Sequence, residues 1–338
     1  MKIPSSVHFP FGAGKRILTE SELQMWHTPR IGKLIFDLLG PWVQIGASFA
    51  LVALWDSPIA WIAAFLLIGG AQHGINLITH EFGHALIIPH SKRLNDFLGT
   101  WIYGAAGGLP FRFYRDRHWD HHRFVSTDDD TKKLYRRDYT GWHLLREFIL
   151  GMSGYDYAFQ VLSVLKRHKK KLDGGEHHKT YVLDFLIVIF VQLVIFGLFL
   201  YFGGFWHYLF LWLLPLVTVS SLCSKLRSSA EHLPLFAEDV GGTFYRGTES
   251  PMYRSVRPAL WEHLFLTRVN FHYHWEHHLW PTISYQHLQK AHVRLFEELE
   301  ISESPTYTDV LLALWREYKR PKTVEVPSTE VSRVDTIH

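Results

Sequence analysis

Two stretches of the chain carry one histidine pattern. In Asn270–Pro281, read NFHYHWEHHLWP, His274, His277 and His278 fall at i, i+3 and i+4, and His118, His121 and His122 repeat that spacing in HWDHH. On a helix this spacing puts three imidazoles on one face. Imidazole nitrogen suits iron, zinc, copper and nickel, so a cluster whose rings converge can hold an ion. One cluster alone would pass as a surface histidine patch, and the repetition argues against that. His80 and His84 in HEFGH stand one turn apart, and His232 follows in RSSAEH, which makes nine candidate nitrogen donors. A zinc site takes about four ligands when structural and three when catalytic, so nine donors imply two ions. Four or five nitrogens per ion leave positions open for oxygen. Iron is the common metal whose open positions activate O2, and a di-iron centre follows.

HEFGH also satisfies the HExxH pattern of zinc proteases, with two histidines on the metal and the glutamate as base. An intramembrane protease of that kind wants an aspartate ligand as well. The candidate, Asp173 in Leu172-Asp173-Gly174, lies between Lys169-Lys170-Lys171 and Glu176-His177-His178-Lys179. That is solvated loop chemistry, and the protease stays a remote alternative.

What positions these residues is read from the distribution of charge. The chain has 338 residues and near-zero mean hydropathy, yet Leu34 to Thr79 and Thr180 to Ser224 contain none of its 35 Lys and Arg. Each tract is about twice the ~20 residues that one helix needs to cross a bilayer core. Each reads as a hairpin: spans near 34–55 and 59–79 turning at Asp56-Ser57-Pro58, and spans near 181–202 and 205–222 turning at Gly203-Gly204. Since Lys and Arg collect in cytoplasmic loops, both termini and the middle segment are expected on the cytoplasmic side, where all nine histidines then lie. A bacterial inner membrane and the endoplasmic reticulum fit equally well. Trp55, Tyr181, Tyr201, Trp206 and Tyr208 mark the span ends, and residues 1–33 lack the apolar core and cleavage site of a signal peptide.

Between the spans, helical spacing continues through Ile75, Ile78 and Phe82, carrying the second span into HEFGH. Gln72 and His73, deeper in that span, read as polar groups satisfied within the bundle. Residues 97–113 are apolar but too short and Gly-rich for a span, and are expected as a cytoplasmic or partly re-entrant cover. Arg112, Arg115, Arg117 and Arg123 either receive an anionic headgroup or carrier phosphate, or pair with Asp116, Asp120 and Asp128–Asp130. Residues 141–167 suggest an amphipathic helical pair on the membrane face, 21–26 an interfacial helix, and 282–318 helices closing a cap. A single domain over 1–318 and a disordered tail over 319–338 are expected. The lone Cys223 excludes a disulfide framework and an iron–sulfur cluster on the chain's own thiolates. Net charge is only +3, and the basic run KRHKKK at Lys166–Lys171 fits a headgroup zone, not nucleic acid.

HEFGH, HWDHH, HYHWEHH and RSSAEH together resemble the three histidine boxes and accessory histidine of the membrane-bound fatty acid desaturase and hydroxylase superfamily, from about Ile59 to Leu295. With NFHYHWEHHLWP and the acidic STDDDT, the likeness is nearest to the acyl-lipid desaturase-like branch. The resemblance implies an all-α membrane protein with four spans and a helical cap. It implies two non-haem irons held by His80, His84, His118, His121, His122, His232, His274, His277 and His278, and O2-dependent attack on an unactivated C–H bond of an acyl chain. Hydroxylase, ketolase and terminal-alkene-forming decarboxylase are the alternatives on one scaffold, and a non-catalytic descendant is a third class. Ser228 stands where such enzymes often keep an asparagine that anchors a metal-bound water. Glu231 is the candidate substitute, with Arg227 beside it. Without a fused haem domain or ferredoxin cysteines, electrons must come from a separate ferredoxin or cytochrome b type donor and its reductase.

Overall fold

The computed structural model describes residues 17–124, 129–132, 141–155, 157–159, 162, 176–233, 254–298 and 304–317. The Lys166–Lys171 run, Asp173 and the 319–338 tail lie outside them, as does much of the second helix expected before Arg167. Every element described is helical. In chain order they are α1 (Glu20–Trp26), α2 (Ile31–Leu54), α3 (Pro58–Gly83), α4 (Lys92–Leu98), α5 (Phe111–Phe124), α6 (Gly141–Met152), α7 (Glu176–Phe202), α8 (Phe205–His232), α9 (Leu260–Phe265), α10 (His274–Leu279), α11 (Leu288–Glu298) and α12 (Tyr307–Glu317).

Among the described residues, α2, α3, α7 and α8 are long and apolar enough to cross a membrane. The protein is a multi-pass membrane protein. Both hairpin turns are where the breakers stand. Ser57 caps α3 by accepting from the Ala60 N–H, with Pro58 at the first helical position, where its missing N–H costs nothing. Gly204, at φ +86°, turns α7 into α8 in a conformation that a side chain would oppose. Two helices outrun the bilayer: α3 continues through His80 to Gly83, and α8 continues to His232 instead of stopping near residue 222.

Helices α3 and α8 touch at Gly69, where a Cβ would stand 2.4 Å from the Val219 Cβ and 3.1 Å from the Pro215 carbonyl oxygen. Small residues are what let backbones approach inside a membrane. The apolar stretch after α4 winds through a widened turn, Gly99–Gly104, and then packs against α3. The carbonyls of Ala105 and Ala106 accept from Gln192 Nε2, at 2.8 and 3.1 Å, near the middle of α7. This contact at mid-span depth fits the partly re-entrant expectation, with Gln192 supplying donors that lipid cannot.

The arginines around HWDHH take other partners than the nearby aspartates. Arg112 binds Asp184 on α7 through its backbone N–H at 2.6 Å and its guanidinium at 2.9 Å, and Arg115 pairs with Asp96 on α4 at 2.9 Å. Arg117 donates to the Thr131 carbonyl, and Arg115–Asp116 and Arg123–Asp120 approach at 3.8 and 4.0 Å, while Asp128 lies outside the described residues. Their work is to fix α5 against the spans.

Helices α10 to α12 build the cap around the protruding ends of α3 and α8, while α9 packs on α3 at Gly70, within the span. The buried Glu262 carboxylate accepts from the backbone N–H of Ala259, Tyr307 and Thr308, tying α9 to the first turn of α12. Ser284 N–H donates to the Trp26 carbonyl, which closes α1 over the cap.

Candidate metal centre

Each histidine reaches the site from the end of an element. His80 and His84 lie at the C-terminal end of α3, His118, His121 and His122 along one face of α5, His232 at the last residue of α8, and His274, His277 and His278 on α10. All nine are buried. They gather into two nests. His80, His84, His118, His122 and His277 each offer a nitrogen within 4.8 Å of every other, and the same limit holds for His121, His232 and His278. His274 joins the second nest through Nε2, 2.8 Å from His232 Nε2 and 3.1 Å from His278 Nε2. The nests abut where the rings of His122 and His278 come within 4.3 Å.

The nitrogens inside these nests face one another. In the first, Nε2 of His118 is 2.8 Å from that of His84 and 2.9 Å from that of His122, which is 3.1 Å from that of His277. A neutral imidazole nitrogen carries either one hydrogen or one lone pair. Along a chain of four such nitrogens the three contacts cannot all be hydrogen bonds, since each N–H serves one contact, so at least one close contact is left without a hydrogen bond. A cation at the focus removes that conflict. Two further rings show which nitrogen is meant for it. His80 Nδ1–H donates to Glu81 Oε1 at 2.9 Å and His121 Nδ1–H to Asp130 Oδ1 at 2.8 Å, while the buried Nε2 of each has no hydrogen-bond partner. A carboxylate on Nδ1 fixes the tautomer and leaves Nε2 as the donor, the arrangement that ligating histidines adopt.

Protonation agrees with this geometry. Burial, followed by the charges of neighbouring groups, chiefly other imidazoles of the nests, holds His118, His122, His274, His277 and His278 well below the ordinary histidine range. Burial and then the Lys132 charge lower His121 to about 4, against the opposing pull of Asp130. These rings are neutral at pH 7, as metal ligation requires.

Around the nests runs a support that only partly shows in sequence. Phe271 lies edge-on to His80 and stacked on His274, with ring centroids at 4.5 and 5.1 Å, and the Arg227 guanidinium sits over its ring, 4.3 Å from the centroid. Arg227 pairs with Glu231 and also donates to Ser228 Oγ at 3.2 Å. Glu231 accepts from Tyr307 Oη at 2.9 Å and stands 3.7 Å from His274 Nδ1. Ser228 is thus occupied by Arg227, and the acid at the expected water-anchoring end of α8 is Glu231. Arg254, fully buried, donates to the carbonyls of Ala230 and Leu233 and closes α8 around His232. Val269 and Asn270 are left-handed at φ +50° and +54°, a sparsely populated conformation that turns the chain into α10. Nothing local in the sequence singles out Arg254 or Tyr307, because their partners are 21 to 76 residues away. Asp130 did have a signal, its place in an acidic run after HWDHH.

The model of the fatty acid desaturase family matches residues 56–309, which contain both nests and three of the spans entirely. The chain belongs to the fatty acid desaturase family. Two curated relatives are similar over short stretches. A beta-carotene ketolase of Paracoccus sp. (strain N81106 / MBIC 01143) is 32% identical over 83 residues, covering 23% of this chain and 34% of the relative. A beta-carotene 4-ketolase of Protosiphon botryoides is 28% identical over 72 residues, covering 20% of this chain and 19% of the relative. The match thus spans about a third and a fifth of those relatives' lengths. The buried histidine clusters are consistent with a metal site typical of the family.

Proposed function

We propose that this protein is an O2-dependent fatty acid desaturase acting on acyl chains of lipids or of an acyl carrier. The observation that carries the proposal is the pair of abutting nests, five and four imidazoles, at the C-terminal ends of α3 and α8 where these run past the apolar spans. His80, His84, His118, His122 and His277 would hold one iron, and His121, His232, His274 and His278 the other. Bound there, two irons would supply O2 activation and the oxidising power to take hydrogen from an unactivated methylene. In balance, one –CH2–CH2– unit, O2, two electrons and two protons give –CH=CH– and two waters. Glu81 and Asp130 keep two of the rings in the ligating tautomer, and the Arg227–Glu231–Tyr307 group holds the α8 end against the cap. Phe271 and the ring-lined interior exclude bulk water from the reacting carbon.

The electrons would come from a separate ferredoxin or cytochrome b type protein and its reductase, docking on the cap. Both termini are assigned to the cytoplasm by the positive-inside rule. Ketolation of a polyene ring is the second reading, and the two carotene ketolases among the relatives favour it. Mass spectrometry of total lipids from cells with and without the protein tests both, the host being supplied with a carotene in one arm. New acyl species two mass units lighter support desaturation; oxygenated carotenoid with unchanged acyl chains would replace it with the ketolase reading.

A further inference from the structure

Arg268, in the loop between α9 and α10, does not point toward the metal nests. Its side chain lies in a slot between α2 and α3 that two glycines open. A Cβ at Gly74 would stand 2.5 Å from Arg268 Cδ and 2.7 Å from its Nε, and a Cβ at Gly40 would stand 3.3 Å from Nη1. At 1.5 Å per residue, Gly40 lies about 14 Å beyond the start of α2 and Gly74 about 14 Å before the end of α3, so both are at one depth. The guanidinium is therefore within the spans, below the level of the nests.

Its company there is neutral. Nη2 donates to Gln44 Oε1, and the Gln44 amide is itself oriented by donating Nε2–H to the Leu67 carbonyl at 2.7 Å. Buried Nε finds no acceptor. Among the described residues no carboxylate stands within ion-pair distance. Asp37, the acid whose charge reaches Arg268, is engaged by Lys33 at 2.9 Å and by Tyr285 Oη at 2.8 Å. A permanent cation whose partner is an amide keeps its full charge, and within a membrane such a charge marks a functional site. The flank of α2 beside it is lipid-facing, with Leu39 and Val43 more than half exposed, so an amphiphile can approach from the bilayer.

We propose that Arg268 and Gln44 form a subsite for the oxyanion of a long-tailed amphiphile, a fatty acid carboxylate or a phospholipid phosphate. Guanidinium suits such a group; Nη2 is held by the Gln44 amide, Nε is buried against α3, and Nη1 is the donor left to bind it. The subsite stands apart from the reaction proposed above, and its test does not use activity. Native mass spectrometry of the detergent-purified full chain, equilibrated with palmitate, 1-hexadecanol, phosphatidylglycerol or phosphatidylcholine, reads it directly. Wild type should retain palmitate about tenfold better than 1-hexadecanol, a ratio of about 1.4 kcal/mol. A parallel preference for phosphatidylglycerol over phosphatidylcholine assigns the site to lipid phosphate as well, and its absence assigns it to the free carboxylate. Arg268→Gln should erase the preference. Because that variant also loosens the loop, Gln44→Glu is the sharper test: it gives Arg268 a built-in carboxylate that keeps the loop pinned, at the loss of the amide donor to the Leu67 carbonyl, and should abolish anion selectivity in a protein that still folds. Selectivity unchanged in Gln44→Glu, or no preference for palmitate in wild type, would reduce Arg268 to a structural staple.

Discussion

Helices α3 and α7 are both long membrane-spanning elements, of 26 and 27 residues, and they are used in opposite ways. In the most apolar stretch of α3, 67% of the residues are buried inside the protein; in α7, the more apolar of the two, 6% are. In water the greasier helix would go inside. A bilayer inverts that order, because lipid tails are as apolar as leucine and burial is governed by close packing and polar contact. Helix α3 is buried by Gly69, Gly70, Gly74, Gln72 and His73, and its end carries His80 and His84 into the first nest. Helix α7 turns Leu183, Leu186, Phe190 and Leu193 outward and keeps Gln192 and Asp184 for its inner edge.

Removing a nitrogen from the α3 end should have the largest effect. His80→Ala deletes a donor of the five-membered nest along with the ring that Glu81 orients, and it should abolish oxidation while the protein still inserts in the membrane. Turnover above a few per cent would take His80 out of the metal site. The rings gathered around that end set the acid response. Their folded pKa lies below the ordinary value of about 6.5, so as pH falls the unfolded chain takes up protons before the fold does. Stability from these rings is complete above about 6.5 and is lost below it, at about 1.4 kcal/mol per ring per pH unit. Metal-stripped protein should therefore melt progressively lower from pH 7 to pH 5, with His121 contributing down to about 4. A flat melting profile over that range would mean the rings are solvated.

Within the spans the contrast predicts smaller effects. Gly69→Ala places a methyl against Val219 and should cost about 1–3 kcal/mol of stability in detergent, as overpacking does. On α7, Gln192→Leu strips the Ala105 and Ala106 carbonyls and the Trp212 Nε1–H of their partner, at about 1 kcal/mol. Leu193→Ile, on the lipid face of the same helix, should change the melting temperature by less than about 0.5 kcal/mol would. If Leu193→Ile proved as harmful as Gly69→Ala, α7 would be packed against protein, and the contrast would fail.

The four spans, their two turns and all nine histidines were legible because each is a local signal: charge-free length, a Gly or Pro at the turn, one ring every three or four residues. The continuation of α3 into HEFGH was legible for the same reason. What escaped is set by distance along the chain. Arg112 was expected either to receive an anionic group or to pair with a nearby aspartate and instead reaches Asp184, 72 residues on; a partly re-entrant Gly-rich run was among the expectations, but the Gln192 on α7 that binds its carbonyls was not. Which span is buried could be seen only in the glycines and amides of α3, since hydropathy alone ranks α7 as the better core.

Metal content of the detergent-purified chain, measured by elemental analysis after expression with iron and zinc both supplied, tests the central claim most directly. Two nests of neutral imidazoles predict about two irons per chain, falling to at most about one in His80→Ala. A single zinc per chain, or no metal with both nests intact, would contradict the account.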